Sequence, residues 1–350
     1  MTQDSENALE ASLAVAWPPS NWRDSHVLLA VSGGPDSVAM LRAVMAQKRR
    51  VPGRGGVCVG HFNHRRRPEA GNDLVWLESV CRQHDVPFVA GTSDVAALAT
   101  LQRDGWEAAA RSARYDFLRR TAEKLGARFV AVAHTADDQV ETVLHRLIRG
   151  TGMSGLAGMP FVRPLSSSVT LVRPLLQIRR REVIEYLRSI GQDFCFDATN
   201  TDLQYTRNRL RHELLPALRK YFNADVDEAL LRIALQAGES QQVISSLAAD
   251  LVERYTHIEI RNDIDSVGSL VAARVQVDCR PLADYSPLLL REVCKIAWTR
   301  ANWPLQAMGF EEWQELAERM LSKECLSPIN LPGNIFARRE VNFLILEASG

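Results

Sequence analysis

The chain has 350 residues, 46% hydrophobic and 24% charged, and its 42 basic and 42 acidic side chains cancel to a formal net charge of zero. That length suits two folded domains. The neutral balance excludes a globally basic nucleic-acid binder, so any such surface has to be a local patch.

The N-terminus, "MTQDSENALEASLAVAW", is acidic and lacks a basic segment before its short apolar stretch, so neither a secretory signal nor a membrane span is expected. The six cysteines form no C-x-x-C pair and no zinc-ligand spacing. They suit buried thiols in a reducing, cytoplasmic compartment. "HVLLAV" (26–31) predicts a strand, and "SVAMLRAVMAQ" (37–47) a helix with apolar positions at 38, 41, 44 and 45. "GVCVGHF" is a second strand and "DLVWLESVCRQH" a helix; "PFVAG" is a third strand and "WEAAARSARYDFLRRTAEKLG" a long helix closed by Gly126. "RFVAVAH" and "DDQVETVLHRLIRG" repeat the pattern. This alternation predicts an α/β fold with a doubly wound, mainly parallel, Rossmann-like sheet.

Residues 151–178 are rich in Gly, Ser and Pro and read as a long surface connection. Helical periods resume at "RREVIEYLRSIG" and in the basic "TRNRLRHELLPALRKYF" (206–222). From about 225 a long amphipathic helix leads into mixed segments and a hairpin-like "NIFARREVNFLILE". The expected organisation is an N-terminal extension (1–25), a catalytic domain (26–222) and a smaller, mostly helical or mixed domain (223–350).

The turn after the first strand reads Ser32-Gly33-Gly34-Pro35-Asp36-Ser37. Two glycines let backbone amides approach an anion without a Cβ in the way, and the following helix adds its positive end. The Walker A lysine and the G-x-G-x-x-G fingerprint are both absent. Asp36 would repel a bare phosphate, which suits a carboxylate that meets an accompanying metal ion. The simpler alternative is a tight turn with Asp36 or Ser37 capping the helix.

S-G-G-x-D-S after a first strand resembles the pyrophosphate-loop ATPases, which cleave ATP between its α- and β-phosphates. "GHFNHRRRPEAGND", "EAAARSARYDFL", "AHTADDQVETVLHRLIRGTGMSGLAGMP", "VRPLLQIRRREVIEYL" and "DATNTDLQYTRNRLRHELLPAL" follow in order. Together they resemble the tRNA(Ile)-lysidine synthase family over residues 26–222, with "LPGNIFARRE" extending the likeness. The resemblance implies ATP-dependent ligation of L-lysine to the 2-carbon of the wobble cytidine of tRNA(Ile) with a CAU anticodon, through an adenylated intermediate. It implies ATP contacts at Ser32, Gly33, Gly34, Pro35, Asp36, Ser37 and Arg111, with Mg2+ at Asp36. It further implies lysine binding at Asp138 and Glu141, catalysis by Asp36 and Asp138, and tRNA binding at Arg207, Asn208 and Arg211. Residues 223–350 would be a tRNA-binding domain, and a homodimer is compatible with the resemblance. Arg65 and Arg66 depart from the family pattern, as does Thr135, where relatives often carry a second histidine.

Read from spacing alone, Asp138 and Glu141 share a helix face, as a pair for an ammonium or as a Thr135-x-x-Asp138 capping box beside a solvent-facing Glu141. The base that deprotonates lysine is open between Asp36 and His134. Arg111 and Arg114 share a face with Tyr115 and Leu118. Arg207 and Arg211, four apart, share a face that Arg209 does not, so this pair is expected on RNA phosphates. Arg179, Arg180 and Arg181 could extend that patch. Trp298, Trp303, Phe310, Trp313, Phe336 and Phe343 are spaced like core residues. The rival functions are a tRNA thiolase and a non-catalytic, nucleotide-sensing RNA-binding module.

Overall fold

The computed structural model describes residues 7–63, 70–92, 106–196, 206–264, 270–305, 307–324 and 326–348. The expectations about Arg65 and Arg66 lie outside them. The chain divides into two compact units, Met1–Gly238 and Glu239–Gly350.

In the first unit, β1 (His26–Ala30) and β2 (Val57–Asn63) lie beside β3 (Phe88–Thr92) and β4 (Ala127–Val132), with β6 (Thr170–Val172) and β5 (Val162–Pro164) at the far edge. The sheet order is β3-β2-β1-β4-β6-β5. Every pairing is parallel except that of β5 with β6. Val27, Leu28 and Leu29 are all buried because β1 is central and covered on both faces, which is why its apolar run does not alternate.

Helix α1 (Ala8–Ala16) and α2 (Pro35–Arg50) lie on one face with α3 (Ala70–Gln83). Helix α4 (Trp106–Lys124) covers the other through Leu118 and Ala122. The chain winds from β1 toward β2 on one side and returns to β4 on the other, so the switch point lies between β1 and β4. Residues 8–22 are integral to this core: Leu9, Leu13, Trp17 and Trp22 are buried in it, and the Tyr186 hydroxyl donates to Glu10 at 2.8 Å.

The segment 151–178 is not the surface connection that its composition suggests. After a one-turn helix, α6 (Met153–Leu156), it supplies β5 and β6, and it buries Leu171, Val172 and Arg173. Strands of three residues leave no readable alternation in a Pro-rich stretch. Helix α5 (Ala136–Ile148) precedes it and α7 (Arg180–Ser189) follows.

The basic segment is helical in three pieces: α8 (Thr206–Arg209), a π-helical turn (Leu210–Leu214) and α9 (Leu215–Tyr221). Pro216 has no N–H to give and its ring crowds the carbonyl of the preceding turn, which accounts for a widened ladder just before it. Helix α10 (Val226–Tyr255) spans the division between units.

The second unit holds a five-stranded sheet in the order β7-β8-β11-β10-β9, antiparallel throughout. Its strands are β7 (Thr256–Ile264), β8 (Leu270–Asp278), β9 (Ile329–Leu331), β10 (Ile335–Glu340) and β11 (Phe343–Ala348). Helices α11 (Pro287–Arg300) and α12 (Phe310–Leu321) add Trp298 and Trp313 to its core, where Trp298 meets Trp303 and Trp313 edge to face. The core assignment holds for these tryptophans. It fails for Phe310, which is 68% exposed beneath the Arg291 guanidinium, and for exposed Phe336.

Candidate active site

The pyrophosphate-loop hexapeptide sits where β1 ends and α2 begins. Gly33 adopts φ +95°, a left-handed conformation that a side chain resists, and a Cβ there would stand 3.3 Å from the Cys195 Sγ. Gly34 is the N-cap and Pro35 the first helical residue, where a missing N–H costs nothing. Ser37 Oγ donates to the Gly34 carbonyl at 2.9 Å and accepts from the Ser32 amide at 3.1 Å, so the two serines close the loop on itself. From β2, His61 is buried with Nδ1 2.9 Å from the Val31 carbonyl, bracing the root of the loop. Burial holds its pKa below the usual range despite that bond, so the ring is neutral and donates.

Asp36 is not an N-cap. Its Oδ1 is buried without a hydrogen-bond partner, while Oδ2 faces the Arg180 guanidinium at 3.8 Å. Burial pushes its pKa up to about 6, and Arg180 only partly offsets this. An orphaned carboxylate oxygen beside a phosphate cradle fits a divalent cation whose other ligands come from the nucleotide and water. Among the described residues no group of three His, Cys, Asp or Glu side chains forms a protein-only metal cage.

Across the switch point, His134 follows β4 and Thr135 caps α5. The capping box exists: the Thr135 amide donates to Asp138 Oδ2 at 2.8 Å, and the Asp138 amide donates to Thr135 Oγ1 at 3.4 Å. Thr135, the departure from the family pattern, is therefore the N-cap. The companion expectation of a solvent-facing Glu141 is overturned, because Glu141 is only 2% exposed. Asp138 divides its two oxygens, giving Oδ2 to the cap and leaving Oδ1 beside Glu141 for other cations.

That site is filled from within the chain. Arg207 reaches Glu141 Oε2 through Nε and Asp138 Oδ1 through Nη2, both at 2.6 Å. Arg211 Nε lies 2.5 Å from Glu141 Oε1, with Nη2 3.7 Å from Asp138 Oδ1. The two arginines do share a face, as their spacing predicts, but in this structure that face meets two carboxylates. Leu210 and Leu215 hold it there by packing on Val140, Val143 and Leu144 of α5. Asn208 is half-buried, and exposed Arg209 donates to Thr206 Oγ1 at 3.3 Å. Burial would raise the Asp138 pKa, but Arg207, the Thr135 amide, His134 and Arg211 outweigh it and hold the carboxylate ionised. Burial drives His134 well below its ordinary range. Asp138 opposes this, while Arg173, Arg114 and Arg207 add to it. Its buried Nδ1 has no hydrogen-bond partner.

Two of the three consecutive arginines, Arg179 and Arg180, are turned to acids, while Arg181 is exposed. Arg179 pairs with Glu228 at 2.7 Å and Asp227 at 3.6 Å. The Arg180 amide donates to Asp137 Oδ2 at 2.7 Å, so Arg180 spans from α5 to Asp36. Its position between Asp137 and Asp36 was hidden in what read as an extension of a basic patch. Arg111 is exposed on α4 with its guanidinium 5.1 Å from the Tyr115 ring centroid.

Residues 5–218 match the family model described as the PP-loop domain. A tRNA(Ile)-lysidine synthase of Rhodopirellula baltica is 32% identical over 91% of this chain and 85% of that protein. One from Geobacter sulfurreducens is 33% identical over 90% of this chain and 64% of its own length. One from a Thermotoga strain is 38% identical over 65% of this chain and 53% of its own length. The chain thus spans little more than half of some curated relatives. Among solved structures, a U34-tRNA thiolase from Methanococcus maripaludis shares the fold, with a TM-score of 0.56 over 66% of this chain and 78% of that one at 14% identity. The chain belongs to the PP-loop family, in the branch that holds these tRNA(Ile)-lysidine synthases.

Proposed function

We propose that the chain ligates L-lysine to the 2-carbon of the wobble cytidine of tRNA(Ile) with a CAU anticodon, consuming ATP and releasing AMP and pyrophosphate. The observation that carries this reading is the pair Asp138 and Glu141 beside the pyrophosphate loop, an acidic site that already holds two cationic side chains. In this reading Ser32, Gly33, Gly34, Pro35 and Ser37 cradle the leaving pyrophosphate, and Arg111 adds a charge to the nucleotide. The cytidine 2-oxygen attacks the α-phosphorus and the bond to the β-phosphate breaks. Asp36 holds Mg2+, which when bound neutralises charge on the phosphates.

The lysine ε-amine then attacks the 2-carbon, and AMP leaves with the oxygen. Asp138 and Glu141 position the ammonium until it loses its proton. Of the two candidate bases, Asp36 is engaged by the cation in this reading, and His134 is neutral with an unpartnered Nδ1, but the burial that holds its pKa far below the ordinary range makes it a weak proton acceptor. Lysine can enter only if Arg207 and Arg211 give up at least part of their contact with the pair. Arg207, Asn208 and Arg211, once released, are available to the tRNA. Residues 223–350 serve as a tRNA-binding domain, and the protein acts in the cytoplasm. That no described helix is long and apolar enough to cross a membrane is compatible with this. A homodimer belongs to the same reading.

Labelled lysine, ATP and a tRNA(Ile) transcript with a CAU anticodon test the proposal. Lysine should enter the tRNA with one AMP released per lysine. ATP–pyrophosphate exchange on the tRNA without lysine incorporation would point to another nucleophile, such as the sulfur of a thiolase.

A further inference from the structure

The other arginines at this edge of the sheet are paired with acids: Arg180 faces Asp36, and Arg207 and Arg211 hold Asp138 and Glu141. One group is different. Arg111 and Arg114 on α4 and Arg163 on β5 place their guanidinium carbons 5.1, 5.4 and 4.9 Å from the centroid of a single ring, that of Tyr115. Arg173, just past the end of β6, is buried beneath them, donating from Nη1 to the Pro160 carbonyl at 2.5 Å. Among the described residues none of the four makes an ion pair with a carboxylate. Arg163 donates only to the neutral Pro164 carbonyl. Nearby Arg146 likewise spends its Nη1 on the carbonyls of Gly155 and Gly158.

Two buried polar atoms in the group, the Tyr115 hydroxyl and the Arg173 Nε, have no well-formed hydrogen bond, although the hydroxyl lies within reach of the Arg114 and Arg173 guanidiniums. The charge shows on the tyrosine. Burial alone would raise its pKa, yet Arg111, Arg114, Arg173 and Arg163 together bring it below the ordinary value. A concentration of one sign of charge, left without acids beside site arginines that have them, is the electrostatic signature of an anion site. Guanidinium forks match phosphate oxygens in geometry as well as charge.

We propose that Arg114, Arg163 and Arg173 form a phosphodiester site around Tyr115 that grips the RNA strand carrying the reacting base, while Arg111, at the rim of the group, stays with the nucleotide. The placement along the sheet edge favours RNA over the triphosphate of ATP. The pyrophosphate loop follows β1, the His134–Asp138–Glu141 group follows β4, and Arg173 follows β6. Neighbouring strands are about 4.8 Å apart, so Arg173 is rooted roughly 10 Å from the loop, on the far side of the carboxylate pair, with Arg163 one strand beyond it, while Arg114 reaches the same ring from α4. A base inserted between the α-phosphate and lysine brings its own backbone to that far side. This inference rests on the reading of the protein as an RNA-modifying enzyme, but not on lysine as the nucleophile.

The test is tRNA affinity of wild type and Arg163→Ala across a potassium chloride series, alongside the ATP KM of each. Removing one phosphate contact should weaken binding roughly five- to tenfold at low salt, reduce the salt slope by about one, and leave the ATP KM within twofold. Arg114→Gln reads the same slope should Arg163→Ala fail to melt like wild type. Unchanged slopes in folded variants overturn the proposal. So does a raised ATP KM with intact tRNA affinity, which would assign the group to the triphosphate. A wild type that binds tRNA but transfers no lysine refutes the lysine reading and leaves the slope test standing. A wild type that binds no RNA overturns this site.

Discussion

Arg207 stands 2.6 Å from Glu141, and it reaches a buried carboxylate with a guanidinium that is itself nearly half exposed. The partners are 66 residues apart, and the bond joins the end of the basic segment to the floor of the site. In the proposed reaction a lysine ammonium would need the same oxygens, so substrate and side chain would compete.

The competition predicts that Arg207→Ala binds free lysine more tightly, by about three- to tenfold in calorimetric titration without tRNA, because one cation no longer has to be displaced. The same change should lower stability by about 1–2 kcal/mol, since Glu141 keeps only Arg211. Weaker lysine binding in a folded variant would show that Arg207 supports the substrate and does not compete with it.

Glu141→Gln should raise the lysine KM well above the ATP KM. It deletes a charge partner for an ammonium and leaves the phosphate cradle unaltered. Steady-state kinetics with each substrate varied in turn decide the matter. Equal increases in both KM values would remove Glu141 from the lysine site.

Asp36 gives a pH signature. Unfolded, it ionises near 3.8; folded, burial holds its proton to about 6. The fold therefore binds a proton that the unfolded chain has lost. Its contribution is complete below about pH 4, falls as pH rises to about 6, and stays low above that. In chelated buffer wild type should lose about 1–3 kcal/mol across this window relative to Asp36→Asn. Urea melts of the two proteins at pH 4, 5, 6 and 7 provide the measurement. The variant should also lose most turnover, because it keeps the loop's donors without the charge that gathers a cation.

Gly33→Ala should cost about 1–2 kcal/mol, from its left-handed backbone and the 3.3 Å approach to Cys195 Sγ. It should also depress kcat/KM for ATP more than for lysine. A variant with wild-type ATP kinetics would mean that the loop tolerates a different shape.

The sheet was legible because α and β periods alternate cleanly through residue 150, and the hexapeptide because its composition suits so few other turns. Asp138 and Glu141 were legible as a face, since three-residue spacing survives any regular helix. What faced them was not. Arg207 and Arg211 announce their shared side, but the identity of a partner 66 to 70 residues away is a property of packing through Leu210 and Leu215. Arg111 and Arg114 were legible beside Tyr115 on one helix face, but Arg163 and Arg173 escaped notice for a related reason: they sit in three-residue strands or beside them, in a stretch whose Gly, Ser and Pro content reads as loop.

The π turn at Leu210–Leu214 holds one residue more than the α turn it replaces. Each residue of an α-helix advances the angle by about 100°, so this surplus sets the azimuth of Arg207 relative to the Leu215 anchor. Were the surplus absorbed and the ladder made regular, Arg207 would swing by that angle away from Glu141 while α9 stayed seated. The segment thus carries its own length of slack, enough to turn a bolt without moving the door.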